Sequence, residues 1–235
     1  MDSLPSSVNL QKYINYIQPQ ENVPCCTASS TLLVAEMIMA SSDNRTNFSR
    51  LFLYYMTRKI QGRLGQRGAE LKATMEALSL YGVPLERYWP FIFAQVDREP
   101  LPHAMESAAQ YKLLSYSSIT PDEYKYYLSK DIPIIIGIRT GRKFWKLKGE
   151  LHDQMYEPIN NSDNLASKGH AVSIIGYDDE LNSGSWIIAN SVGPKWGHKG
   201  YAAIPYSCNV DIGEAYVITN FAGITAGKKI PRIDK

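Results

Sequence analysis

The stretch from Gln20 to Ala40 constrains the fold more than any other part of the chain. It reads Gln20-Glu21-Asn22-Val23-Pro24-Cys25-Cys26-Thr27-Ala28-Ser29-Ser30 and continues into the apolar run Leu32 to Ala40. Pro24 and the small polar residues mark a turn, and nothing from Cys26 to Ala40 is glycine or proline, so a helix is predicted to start at Cys26. The unpaired N–H groups and positive dipole end at a helix start favour an anion. A thiol placed there is expected to shift towards thiolate, the form that attacks carbonyl carbon. Gln20, six positions upstream, is close enough to offer an amide donor over the same spot.

The rest of the chain divides by composition into a helical first half and a strand-rich second half. Asn47–Met56 and Ala69–Tyr81 carry apolar residues at helical spacing, the second stopped by Gly82 and Pro84. Pro90, Pro100 and Pro102 punctuate a connection, and a boundary is expected near residue 110, giving a helical unit 1–110 and a β-rich unit 111–235. Residues 112–119, 132–139, 171–177, 186–190, 200–206 and 214–221 read as strands, rich in β-branched and aromatic residues between turn signals. Thr120-Pro121-Asp122-Glu123 is a capping box that predicts a short helix from Pro121 to Lys130. An α+β fold follows.

Composition excludes several function classes. Twenty-five basic against 23 acidic residues leave a net charge of +2, too little to argue for nucleic acid or an anionic membrane as partner. Three cysteines, two of them adjacent, build no disulfide framework and suit a reducing compartment. Cys25, Cys26 and Cys208 show no paired ligand spacing, so no metal site is expected. The amino terminus, Met1-Asp2-Ser3, has no signal-peptide pattern, and the apolar run from Ile132 to Ile138 is too short to span a bilayer. A cytoplasmic protein is expected, or one delivered into a target cytoplasm without an amino-terminal signal. His103, His152 and His198 read as solvated, the three Asn-x-Ser/Thr matches at Asn44, Asn47 and Asn160 as chance, and the tail from Gly227 as loose.

Two further segments carry chemistry. Lys168-Gly169-His170-Ala171-Val172 reads as a loop that delivers a histidine to the start of a buried strand, and Trp186 to Asn190 as a strand that ends on an amide. A thiol, an imidazole and an orienting amide are the parts of a nucleophile activated by an adjacent base. Cys25 is a rival to Cys26, and the spacing to Gln20 selects Cys26.

Taken with Asn190-Ser191-Val192-Gly193-Pro194-Lys195-Trp196-Gly197, these motifs resemble the papain family of cysteine peptidases, in its bacterial or archaeal form, from about Tyr16 to Phe221. His170 falls within the roughly 130–150 residues that follow the nucleophile in that family, and Asn190 slightly beyond them. The resemblance implies a two-lobe fold with a cleft between a helical lobe and a sheet or barrel lobe. It implies Cys26 as nucleophile, His170 as general base, Asn190 as its orienter and Gln20 as oxyanion donor, with Gly68, Gly169 and Trp196 on the substrate side. The chain departs from the family pattern in three places. Val23 stands where a disulfide cysteine is usual, Thr27 replaces an aromatic, and Val192 replaces the tryptophan that shields the His–Asn hydrogen bond. The implied activity is thioester-forming cleavage of a protein or peptide substrate. An acyl transferase or amidase, or an inert binding module, remains open on the same fold. With only 25 residues before Cys26 there is no room for a blocking propeptide, so a narrow-specificity enzyme, or an effector or toxin held by a separate inhibitor protein, is expected.

Overall fold

The structure, a computed structural model, describes residues 3–153, 168–207, 212–222 and 224–226. Cys208, the Asn160 match and the tail from Gly227 lie outside the described residues. In chain order the elements are β1 (Ser7–Asn9), α1 (Cys26–Ala40), α2 (Arg50–Ile60), α3 (Leu71–Tyr81), α4 (Pro102–Ala108), β2 (Leu113–Ser118), α5 (Tyr124–Ser129), β3 (Ile134–Thr140), α6 (Arg142–Trp145), β4 (Lys168–Asp178), β5 (Ser185–Ala189), β6 (Tyr201–Pro205), β7 (Ile212–Phe221) and β8 (Ile224–Thr225). Among the described residues, no helix is long and apolar enough to cross a membrane.

Helix α1 is the axis of the molecule. Eleven of its fifteen residues are buried, on every face, which is the pattern of a helix enclosed by core rather than one lying on a surface. It packs against α2 and α3 on one side and against the sheet, chiefly β4, on the other. Two buried hydroxyls fix that second contact: Ser30 Oγ and Ser173 Oγ lie 3.0 Å apart, and Ser173 Oγ donates to the Ser30 carbonyl at 3.1 Å. Because Ser30 follows Cys26 on α1 and Ser173 follows His170 on β4, this contact sets the two segments in register. The α2 start is capped by Ser49, whose Oγ accepts from the Phe52 N–H at 3.2 Å. Helix α3 ends at Gly82 with φ +73°, where a Cβ would meet the Ala108 carbonyl at 2.1 Å, so no other residue fits there.

The sheet is antiparallel, in the order β2-β7-β3-β4-β5-β6, with β1 on β4 and β8 on β7. The chain before α1 therefore crosses to the sheet, and β1 approaches β4 so closely that a Cβ at Gly176 would lie 2.1 Å from the Val8 carbonyl. The six strands expected from the sequence are all present, while β1 and β8 are additions. The segment Pro121–Lys130 opens as a 3-10 turn over Pro121–Glu123 before becoming α5, with the Thr120 capping box formed. Pro102 does not extend a loop. It occupies the first turn of α4, where its missing N–H costs nothing.

Candidate active site

The cleft that matters chemically lies where the start of α1 meets the sheet. Its volume is about 300 Å³, and its walls include Cys26 and Thr27 from α1, Ala69 to Leu71 before and at the start of α3, Gly137 to Arg139 of β3, Gly169 to Ala171 of β4, and Gly213 and Glu214 of β7. Cys26 and His170, distant in sequence, thus share one cavity.

The two adjacent cysteines are separated by their surroundings. Cys25, the residue before α1, is fully buried, with Sγ 3.5 Å from Ser29 Oγ, and burial pushes its thiol up to about 11. Cys26, the first residue of the helix, is partly exposed and opens on the cleft. Its thiol is also shifted upward, because burial outweighs the N–H groups of Ala171, Thr27 and Cys26 itself that favour the thiolate. This reverses the direction expected from the helix start alone: the dipole contribution is present and the loss of solvent is larger.

His170 does not sit in a loop. It is a residue of β4, paired across the sheet with Ile138 of β3, and is buried. Its Nε2 lies 2.8 Å from Asn190 Oδ1, and the Val192 N–H donates to that same oxygen at 3.3 Å. A backbone N–H can only donate, so the shared atom is the amide oxygen, and His170 Nε2 must carry the hydrogen. The lone pair is then on Nδ1, the nitrogen left for a thiol. Burial drives the imidazole down to about 4, with the Asn190 hydrogen bond opposing.

A histidine that titrates near 6.5 when unfolded and near 4 when folded binds fewer protons in the folded chain between those values. Folding stability therefore falls as pH drops from about 6.5 to about 4, by about 3 kcal/mol from this group. Denaturant unfolding of Cys26→Ala and of Cys26→Ala/His170→Gln across that range should show this extra slope in the first only. Parallel profiles would refute the assignment of a neutral buried imidazole.

Gln20 is held from both sides of the cleft. Its backbone N–H donates to the Ser191 carbonyl at 2.7 Å, Ser191 Oγ donates to Gln20 Oε1 at 2.5 Å, and Gln20 Nε2 donates to the Val23 carbonyl at 3.1 Å. One Nε2 hydrogen is left over. On the helical side, Arg50 Nη1 donates to the Pro19 carbonyl at 2.8 Å, with its guanidinium over the Phe91 ring at 4.1 Å.

The remaining sequence-derived positions fare unevenly. Gly169 lines the cleft. Gly68, at φ +79°, gives its N–H to Tyr54 Oη at 3.0 Å, which takes that donor away from a substrate backbone. Trp196 is buried, and its indole N–H is spent on the Phe144 carbonyl at 2.8 Å, so it supports the wall and does not line it. Ser191, Arg50, Phe144 and Trp145 were not singled out by the sequence. Ser191 had a signal in its position directly after Asn190, and Phe144-Trp145 had one as an aromatic pair between basic residues.

Residues 4–220 match the family model described as papain family cysteine protease. An uncharacterized peptidase C1-like protein of Acanthamoeba polyphaga mimivirus is 27% identical over 205 residues, covering 82% of this chain and 65% of that protein. Peptidase 1 of Euroglyphus maynei is 29% identical over 161 residues, covering 65% of this chain and 46% of that protein. The chain thus spans between about half and two thirds of the length of these relatives. Among solved structures, xylellain, a cysteine protease from Xylella fastidiosa, superposes with a TM-score of 0.80 at 26% identity, covering 92% of this chain and 86% of that one. Procathepsin B S9 of Trypanosoma congolense gives 0.73 at 19% identity over 95% and 78%, a likeness of fold alone.

Proposed function

Because the chain belongs to the papain family of cysteine proteases, we propose that it hydrolyses peptide bonds through a thioester formed on Cys26. The observation that supports this most directly is the shared cleft of Cys26 and His170, with Nε2 committed to Asn190 and Nδ1 left free to act as base. In this reading Nδ1 takes the Cys26 proton and Sγ attacks the scissile carbonyl. The leftover Nε2 hydrogen of Gln20 and the Cys26 backbone N–H meet the oxyanion. The imidazolium protonates the leaving amine, the tetrahedral intermediate collapses to the thioester, and a water activated by His170 completes hydrolysis. Burial disfavours either ion alone, so the two charges are created together by proton transfer, where their mutual attraction offsets part of that cost. No step calls on a metal or cofactor.

A comparison of new amino termini in a proteome treated with wild type and with Cys26→Ala tests the reading. Termini that depend on Cys26 support it, and identical sets oppose it. Adding a competing amine separates hydrolysis from acyl transfer, since a transferase would cap the new carboxyl ends with the amine. An active thiol peptidase also needs restraint, and a separate inhibitor protein seated in the cleft is the form of control this reading carries. Equal growth of cells making wild type or Cys26→Ala at matched levels would remove its effector or toxin version.

A further inference from the structure

His170 is covered by two aromatic rings of α6. The Phe144 centroid is 5.9 Å from the imidazole at 66°, and that of Trp145 is 4.9 Å away at 58°. Phe144 is buried and locked in place by Trp196, whose ring lies 5.0 Å away and whose N–H is bound to the Phe144 carbonyl. Trp145 is different: it remains 39% exposed, a large apolar side chain held at the surface against the imidazole.

We propose that Trp145 is a positioning residue for proton transfer, its indole face stabilising the imidazolium form of His170 and so raising the share of thiolate on Cys26. The proposal rests on the reading of Cys26 and His170 as a working pair. A cation over the face of an indole and within about 6 Å of its centroid is attracted by the ring quadrupole, the more so when desolvated. His170 needs such help, because burial disfavours its charged form and Asn190, a neutral amide, supplies no countercharge. The charged groups around it do not replace the ring. Arg142 and Lys143 on α6, Lys146 just after it and Arg139 on the β3 wall of the cleft carry the same sign as an imidazolium and so offer it no countercharge. Glu70 ahead of α3 and Glu214 on β7 line the same cleft but are exposed to solvent, where their attraction is weakened. Cys26 on α1 gains its own charge only in the transfer itself.

Removing the ring has two opposite effects, since it takes away the π face but also readmits water that would solvate the cation. Trp145→Leu separates them by keeping an apolar cover without a π face, and Trp145→Phe restores the face. The rate of Cys26 alkylation by iodoacetamide, read by peptide mass spectrometry, reports thiolate without depending on any substrate. At neutral pH, Trp145→Leu should react about three- to tenfold more slowly than wild type, with Trp145→Phe close to wild type. At alkaline pH, where the thiol ionises without passing its proton to His170, all three should converge. Equal neutral rates for Leu and wild type, a faster Leu variant, a Phe variant as slow as Leu, or a deficit that persists into alkaline pH would each overturn the proposal. A wild-type neutral reactivity that His170→Gln leaves intact would overturn the pair itself and the role of Trp145 with it.

Discussion

Replacing Cys26 with alanine is expected to abolish peptide hydrolysis and covalent labelling at the cleft, whereas Cys25→Ala should keep most of both. The difference comes from one step of chain direction. Cys25 is the last residue before α1 and turns into the core against Ser29, while Cys26 begins the helix and faces the cavity shared with His170. A thiol pushed up to about 11 and closed off from solvent is a poor nucleophile at neutral pH. Cys25→Ala also leaves a small void, so a loss of stability of about 1 kcal/mol is expected without loss of specific activity. Steady-state kinetics and labelling with a thiol-directed inhibitor check both variants. A dead Cys25→Ala with normal folding and an active Cys26→Ala would move the register by one residue and take the Gln20 assignment with it.

The parts of the fold legible in the sequence are those with strong local signals. Helix α1 could be read because no Gly or Pro interrupts Cys26 to Ala40, and the major strands because β-branched runs alternate with turn residues. The strand β1 could not, since Ser-Val-Asn has no pattern of its own and forms only because Gly176 lets the backbone of Val8 approach. The capping box at Thr120 announced a helix but not that its first turn would be 3-10.

The site was legible to the same degree. Residue types and order pointed to Cys26, His170, Asn190 and Gln20, but not to their environments. The direction of the Cys26 shift depends on how much solvent is lost, which no helix-start argument contains. Val192 stands where a tryptophan that shields the His–Asn hydrogen bond is usual, and the sequence singled out no other aromatic for that place. In the structure Phe144 and Trp145 of α6 lie on the imidazole, supplied by a four-residue helix too short to show periodicity.

Gln20→Ala is expected to lower kcat on the order of 10²–10³-fold, the usual cost of one oxyanion donor, with KM little changed because the charge it meets exists only beyond the ground state. The structure adds a partner to this experiment. Ser191 Oγ donates to Gln20 Oε1, and that bond fixes which end of the amide is the donor and where it points. Ser191→Ala keeps the donor but frees the amide to rotate, so it should lower kcat by a smaller factor, about tenfold, again with KM nearly unchanged. If the hydroxyl acts only through Gln20, the double variant Gln20→Ala/Ser191→Ala should be no worse than Gln20→Ala alone. Multiplying losses would show that Ser191 contributes through another contact, such as the chain path beyond Asn190. A Gln20→Ala enzyme with wild-type kcat would remove the amide from the oxyanion site altogether. The Cys26 backbone N–H would then be the donor there, and the ties from Ser191 and Arg50 would serve only to hold the Pro19–Gln20 turn against the start of α1.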